Sequence, residues 1–306
     1  MERRVVVTGL GVVTPNGNDV ASFWKSMKDG KSGVGKLTSF DASAFDCKIA
    51  AEVKGFDPLS QGLTKKEAHR MEKFVQYAVA SSYQAISDAG LDIEKENKER
   101  IGVIVGSGIG SLKIIEDQHQ VYLKGGPSRI TPFLIPSLII NEAAGHIAIK
   151  YGFLGPNYCI TTACASGSHA IGDALRVIQR GDADVIIAGG TESATTHLGI
   201  GGFCALKALS LRNDEPERAS RPFDKDRDGF VMGEGCGIVI LESLEHAKAR
   251  GARIYGEAAG FGMSCDAYHI TAPDPEGYGA TLAMKLAIKD CKINPEERVK
   301  IIPREF

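Results

Sequence analysis

The residue best suited to covalent chemistry is Cys164, one of seven cysteines in the chain. It follows the apolar segment 157–163 and precedes the small residues 165–168, which begin a helical pattern. A strand that turns directly into a helix would place the thiol at a helix N-terminus, which favours the reactive thiolate. The N-terminal amides could also hold the oxyanion formed during acyl transfer to sulfur. The alternative is that Cys164 is an inert core residue, as most free cysteines are.

No general base for Cys164 is evident from spacing. A cysteine nucleophile needs a base or an electrophile beside it, but His169 lies five residues further on, roughly 140° around the helix from Cys164. None of the other six histidines can be paired with Cys164 by spacing alone. The other six cysteines are scattered and form no C-x-x-C pair, so neither a disulfide framework nor a zinc site is indicated.

Two further motifs resemble binding sites but depart from the patterns that such sites need. The glycine-rich segments 9–14 and 106–111 lack the third glycine or the following ribose-binding carboxylate of a dinucleotide site. Glycines for tight turns and close packing are therefore favoured there. Asp224, Asp226 and Asp228 match an EF-hand loop, but Gly235 stands where its final glutamate should be. A hydrogen-bonded structural loop is favoured over a calcium site, and we predict neither a metal nor a cofactor.

Alternating apolar runs and amphipathic segments predict the elements that must position Cys164. Nearly continuous apolar runs predict buried strands, and the T-x-x-E capping box at Thr64 and Glu67 predicts a helix start. Such alternation indicates an α/β fold with a parallel or mixed sheet. We predict strands over 4–10, 100–108, 157–163, 183–190, 236–243 and 251–263, and helices over 65–89, 137–150, 166–180 and 276–290. Segment 108–135 is expected to be a surface or interface excursion, and 211–235 a long polar loop.

Composition excludes several classes of protein. The 306 residues carry a formal net charge of −2, which argues against a nucleic-acid-binding protein. No apolar stretch approaches the roughly 20 residues needed to span a bilayer, so no membrane association is expected. The odd, scattered cysteines favour a reducing compartment, and we expect a cytoplasmic protein.

Long motifs in the chain resemble the 3-oxoacyl-(acyl-carrier-protein) synthases, especially their synthase II branch. The resemblance covers about residues 3 to 296 and is strongest in RRVVVTGLGVVTPNGND, GVIVGSGIGS, TTACASGSHAIGDA, GDADVIIAGGTES, GGFCALKALS, ASRPFDKDRDGFVMGEGCGIVILE and GFGMSCDAYHITAPDPEG. It implies a thiolase-like fold of two related α/β halves in an αβαβα sandwich, usually as a homodimer. Residues 1–251 would form the half that carries the nucleophile, and residues 252–306 the start of an incomplete second half.

The resemblance also implies a reaction and a substrate pocket. Cys164 would accept an acyl chain as a thioester, and the carbanion from decarboxylated malonyl-carrier protein would attack it in a Claisen condensation. Ile109 and Phe203 would line the acyl pocket, and Phe133 would reach the pocket of a partner subunit. Ordinary packing in the apolar core remains an alternative role for these three residues.

A cationic surface would suit docking of an acidic acyl carrier protein. The candidate residues are Lys65, Lys66, His69, Arg70 and Lys207. The alternative is that these side chains are simply solvated on a helix face.

The chain departs from the family pattern near its C-terminus. The family's two histidine motifs, N-A-H-G-T-S-T and G-H-x-x-G-A, are absent, and the resemblance ends before RVKIIPREF. We therefore expect that this 306-residue chain alone cannot perform normal decarboxylating condensation, although acylation of Cys164 is expected to survive. A frameshift, an early stop or a truncated gene model would each explain the break. The alternatives are a non-catalytic pseudoenzyme or a binding partner of a carrier protein or full-length synthase, and, less well matched, a thiolase or another condensing enzyme.

Overall fold

A computed structural model of the chain describes residues 3–294. Its strands are β1 (Val5–Val13), β2 (Gly35–Lys36), β3 (Ile49–Ala50), β4 (Ile101–Gly106), β5 (Asn157–Ile160), β6 (Val185–Glu192), β7 (Gly235–Ser243) and β8 (Gly256–Glu257). Its α-helices are α1 (Val20–Lys28), α2 (Lys65–Arg70), α3 (Lys73–Ala89), α4 (Leu112–Gly125), α5 (Leu134–Leu138), α6 (Glu142–Tyr151), α7 (Ser166–Arg180), α8 (His197–Ala205), α9 (Leu244–Ala249) and α10 (Tyr278–Cys291).

Six of these strands form one mixed sheet in the order β5-β4-β6-β7-β1-β8. β4 runs parallel to both β5 and β6, whereas β7 runs antiparallel to β6 and β1. The carboxyl ends of β4, β5 and β6 therefore meet at one edge of the sheet, and the chain turns from β5 into α7 there. Because functional groups in α/β proteins gather at the carboxyl ends of parallel strands, this edge is where a site is expected.

Helices cover both faces of the sheet, which confirms the predicted α/β class. α3 and α6 bury Phe74, Tyr77 and Ile147 on one face, and α7 buries Leu175 and Ile178 on the other. The strands are apolar on both sides because both faces lie under helices.

α10 packs against the face of α7 that points away from the sheet. Arg176 forms an ion pair of 2.6 Å with Asp290 of α10, and the ring of Phe261 lies against Gly172. α7 therefore lies between the sheet and a further helix, as in a layered sandwich. The division into residues 1–251 and 252–306 stays a prediction.

The first glycine-rich segment proves to be a packing feature, as favoured from the sequence. Gly9 and Gly11 lie in β1 beneath α3, and a β-carbon at either position would overlap a backbone carbonyl of that helix, at Ala85 and Ser81 respectively. The two glycines therefore let the helix backbone approach the strand closely.

The helix predicted over 65–89 is two helices, so this prediction was wrong in its continuity. Thr64 and Glu67 do form the capping box of α2. Met71 and Glu72 have extended backbones between α2 and α3. The Gln76 side chain donates to the carbonyl oxygens of Ala68 and Met71, and so satisfies acceptors that the interrupted helix leaves open.

Three other segments also differ from their predictions. The helix predicted over 137–150 is divided between α5 and α6, and the excursion over 108–135 contains the 14-residue helix α4. The strand predicted over 251–263 is reduced to β8, which pairs with Val6 and Val7 of β1. The glycines and prolines of this last helical segment, 108–135, lie at the ends of α4 and not in its interior. The overall composition of the segment therefore did not indicate a helix.

The polar loop 211–235 has little regular structure, as predicted, and two of its aspartates, Asp224 and Asp228, accept hydrogen bonds. Asp228 accepts from the Ser210 hydroxyl at 2.7 Å and from the Leu211 amide at 3.0 Å, and Asp224 pairs with Arg221 at 2.9 Å. Within residues 3–294, no group of three or more His, Cys, Asp or Glu side chains is arranged to hold a metal ion. No helix in the same range is long and apolar enough to cross a membrane.

Candidate active site

Cys164 is exposed on a tight elbow between β5 and α7. Ala163, immediately before it, has a φ of 51°, a left-handed conformation that is uncommon for residues other than glycine. The Ser166 hydroxyl donates to the Ala163 carbonyl at 2.6 Å and accepts from the Thr162 amide at 2.9 Å. The predicted strand–nucleophile–helix arrangement is therefore present, and a serine side chain closes it.

Three glycines allow this elbow to lie close to the sheet. A β-carbon at Gly106, the last residue of β4, would overlap the carbonyl oxygen of Ser166. One at Gly190 of β6 would come within 2.9 Å of the Cα of Gly167. The glycines of the second glycine-rich segment and of the helix start are therefore packing residues, in agreement with the reading favoured from the sequence.

The first amides of α7 are only partly available to a ligand. The amides of Ala165 and Ser166 donate to the carbonyls of Thr162 and Ala163, both at 3.1 Å. Within the described residues, the amides of Gly167 and Ser168 have no hydrogen-bond acceptor. Oxyanion binding by this helix start stays a prediction, and Gly167 and Ser168 are the amides open to it.

The His169 side chain, on α7, contacts the Thr162 side chain just before the elbow. Its Nδ1 lies 2.7 Å from the Thr162 hydroxyl, and its ring meets Phe261 edge to face at 5.9 Å. In the part of the chain that the structure describes, the Cys164 side chain has no hydrogen bond or ion pair.

Glu192, at the end of β6, is a site residue that the sequence reasoning missed. One of its carboxylate oxygens accepts from the amides of Gly108 and Ile109 at 2.9 and 3.0 Å, and the other lies 3.4 Å from the Ser107 hydroxyl. Burial raises the pKa of Glu192, and the amide hydrogen bonds oppose that effect. A signal was present in the sequence, because this glutamate follows the apolar run 185–188 within a few residues.

The three candidate pocket residues lie in different settings. Ile109 is partly buried in the loop that Glu192 holds. Phe203 of α8 packs edge to face on Phe230 at 5.2 Å, within a small core cluster. Phe133 is 51% exposed, and the Arg70 guanidinium lies 5.6 Å from its ring centroid. Of the three, only Ile109 lies in the loop beside the elbow, and the substrate roles of all three stay predictions.

Four of the candidate docking residues share α2. Lys65, Lys66, His69 and Arg70 are all exposed there. Glu67 of the same helix does not oppose them at the surface, because it caps the helix and pairs with Lys150 at 3.1 Å. Lys207 is exposed just beyond α8, with a φ of 54°. A carrier-binding role for these residues stays a prediction.

A cavity of about 270 Å³ near the site does not include Cys164 in its lining. It lies between the starts of α3 and α4 and the segment 193–197. His197 stacks on Phe40 at 4.1 Å and lies 3.4 Å from a Glu116 carboxylate oxygen. Both acidic and basic side chains line this cavity. The Cys164 thiol lies outside it, on the exposed surface.

The elbow and layered sheet define the class of this molecule as a thiolase-like ketosynthase fold. A type II PKS ketosynthase, solved in complex with its acyl-carrier protein, has a TM-score of 0.88 and is 37% identical, covering 97% of this chain and 72% of that one. A beta-ketoacyl synthase from Burkholderia phymatum has a TM-score of 0.85 and is 35% identical, covering 95% of this chain and 71% of that one.

The family follows from the sequence comparisons. The model of the beta-ketoacyl synthase N-terminal domain matches residues 2–247. The 3-oxoacyl-[acyl-carrier-protein] synthase 2 of Synechocystis is 56% identical over 96% of this chain and 71% of that protein. The synthase 2 of Vibrio cholerae is 52% identical over 97% of this chain and 71% of that protein. The chain belongs to the beta-ketoacyl synthase family. Residues 295–306, where the resemblance ends, lie outside the described residues.

Proposed function

We propose that the chain accepts an acyl group on Cys164 from an acyl carrier protein, as the first half of the condensing reaction of fatty acid elongation. The observation that carries this proposal is the elbow, which exposes one thiol at the carboxyl ends of β4, β5 and β6. In the step, the thiolate sulfur forms a bond to the thioester carbonyl carbon. The bond from that carbon to the carrier thiol breaks, and the carrier thiolate leaves and takes up a proton.

The second half of the reaction needs groups that the elbow does not supply. Decarboxylation of a malonyl thioester requires polarisation of its carbonyl, a role that the family resemblance gives to two histidine motifs. Neither motif occurs in these 306 residues. We therefore propose that the chain, assayed as it stands, forms the acyl-enzyme but does not release carbon dioxide from malonyl-carrier protein. A non-catalytic binding role is the second candidate, favoured by the exposed cationic side chains of α2.

The proposed partners are an acyl carrier protein and a second copy of the chain. α2 presents four cationic or titratable side chains to solvent, which suits an acidic carrier by charge. β5 has a strand neighbour on one side only among the described residues. The segment 127–154 near it exposes the apolar side chains Phe133, Ile135 and Leu154. Exposed apolar surface of this kind is typical of an interface between protein chains. We also propose that the protein is cytoplasmic.

The test is intact-mass spectrometry after incubation with an acyl-carrier thioester. We expect one acyl adduct on the unmodified chain and on the Cys265→Ala variant, and none on Cys164→Ala. Cys265 is the matched control because it is also exposed but lies outside the elbow. An adduct that persists in Cys164→Ala would overturn the proposed role of Cys164. Carrier binding without any adduct would favour the non-catalytic role, and carbon dioxide release from malonyl-carrier protein would contradict the proposed impairment.

A further inference from the structure

Glu192 joins the end of β6 to a loop more than eighty residues away in the sequence. It ends β6, and its carboxylate holds the amides of Gly108 and Ile109 in the loop after β4. The same loop is fixed to the end of β5, because the Thr161 hydroxyl donates to the Ser107 carbonyl at 2.9 Å. Glu192 therefore fastens the loop from one side while the strand before the elbow fastens it from the other.

The loop lies directly against the elbow that carries the nucleophile. A β-carbon built on Gly108 would be 3.5 Å from the carbonyl oxygen of Ala163 and 3.1 Å from a Glu192 carboxylate oxygen. Gly108 therefore lies close to both the Glu192 carboxylate and the elbow backbone, with room between them for little more than a methyl group. Any shift of the loop would move Ile109, the one candidate pocket residue attached to it, relative to Cys164.

The carboxylate acts here through hydrogen bonds and not through an ion pair. Across residues 3–294, no lysine, arginine or histidine lies within ion-pair distance of Glu192. Both loop amides point to the same oxygen, and the second oxygen faces the Ser107 hydroxyl, which can donate or accept. A glutamine could keep this arrangement, with its oxygen on the two amides and its amino group on the Ser107 hydroxyl.

We infer that Glu192 is a positioning residue that fixes the seat of the acyl chain beside Cys164 by holding the 107–110 loop and its Ile109. This inference rests on the proposed acyl transfer to Cys164. It predicts that Glu192 affects the selectivity of Cys164 for acyl chains of different length, and does not affect access to the thiol itself.

The test compares Glu192→Ala and Glu192→Gln with the matched control Glu52→Ala. Glu52 also holds two consecutive amides, those of Thr38 and Ser39, but in a different loop. Rates of Cys164 acylation are measured with hexanoyl and palmitoyl carrier thioesters, and alkylation by iodoacetamide reports access to the thiol. Hydrogen–deuterium exchange of the peptide that contains residues 107–111 reports the loop.

In Glu192→Ala we expect faster exchange in the loop and palmitoyl acylation slowed by roughly tenfold to a hundredfold, the scale of a small misplacement at a reacting centre. Hexanoyl acylation should slow less, and iodoacetamide alkylation should change little. Glu192→Gln should restore the palmitoyl rate, and Glu52→Ala should leave the ratio of the two acyl rates unchanged.

Two results separate this inference from the function on which it rests. An unmodified chain that forms no adduct would remove the proposed function and the inference together. An unmodified chain that is acylated, with Glu192→Ala showing the same ratio of palmitoyl to hexanoyl rates, would overturn the inference alone. Equal slowing of both acyl groups and of iodoacetamide would do the same, because it would indicate damage to the elbow as a whole.

Discussion

Two glutamates at opposite ends of the same sheet are stabilised in different ways: Glu242 by ion pairs and Glu192 by hydrogen bonds from backbone amides. Glu242 in β7 lies fully buried at the end where β6 begins, since it pairs with Val185. Arg250 contacts both of its oxygens, at 2.7 and 2.8 Å, and His246 contacts one. Glu192 lies at the other end of β6 and is held by backbone amides.

The directions of the two pKa shifts reflect this difference. Burial alone would raise the pKa of Glu242, but hydrogen bonds from Arg250 and His246 outweigh it and lower the pKa. Burial raises the pKa of Glu192, and its amide hydrogen bonds do not fully offset that effect. Glu242, which is paired with cationic side chains, stabilises its end of the sheet. Glu192, which has no cationic partner among the described residues, holds a loop beside Cys164.

The largest expected effect comes from removing the buried carboxylate at the stabilising end. Glu242→Ala would leave Arg250 and His246 without their shared partner, and should lower the free energy of unfolding by about 3 kcal/mol. Glu192→Ala should cost clearly less, because it leaves no charge unpaired. Urea unfolding of both variants measures the difference. A Glu192→Ala variant as unstable as Glu242→Ala would contradict the division between the two ends.

A second effect concerns how closely the elbow approaches the sheet. Gly106→Ala would place a methyl group against the Ser166 carbonyl, so it should slow acylation of Cys164 and destabilise the fold by about 1–3 kcal/mol. Gly237→Ala is the control, since a β-carbon at Gly237, on β7 of the same sheet, meets open space. Acylation rates and thermal melts distinguish them. Equal behaviour of the two variants would show that close approach at Gly106 does not position the elbow.

The sequence predicted the local structure around Cys164 better than the contacts between distant segments. α7 begins at Ser166 and the capping box at Thr64 is present, because both depend on neighbouring residues. The break between α2 and α3 depends instead on the Gln76 side chain reaching back to Met71. Glu192 was missed because its partners at 108 and 109 are more than eighty residues away. Periodicity reports which face of an element is buried, but not which side chain crosses between elements.

The smallest effect, and the sharpest comparison, is the dependence of stability on pH. The raised pKa of Glu192 means that its contribution to stability is present below about pH 4, near the unfolded pKa, and is lost as pH rises through the native value. The lowered pKa of Glu242 gives the reverse, a contribution present above about pH 4 and lost as pH falls through its native value.

Glutamine variants at the two positions should therefore change in opposite directions relative to the unmodified chain. As pH rises from about 4 towards neutrality, Glu192→Gln should gain stability relative to the unmodified chain. Glu242→Gln should lose relative stability as pH rises out of the acid range, and more steeply, since it also loses its pairing with Arg250. Urea unfolding across this pH range measures both slopes. Slopes of the same sign would mean that both carboxylates are neutralised alike, and that the unneutralised charge beside the elbow has no energetic consequence.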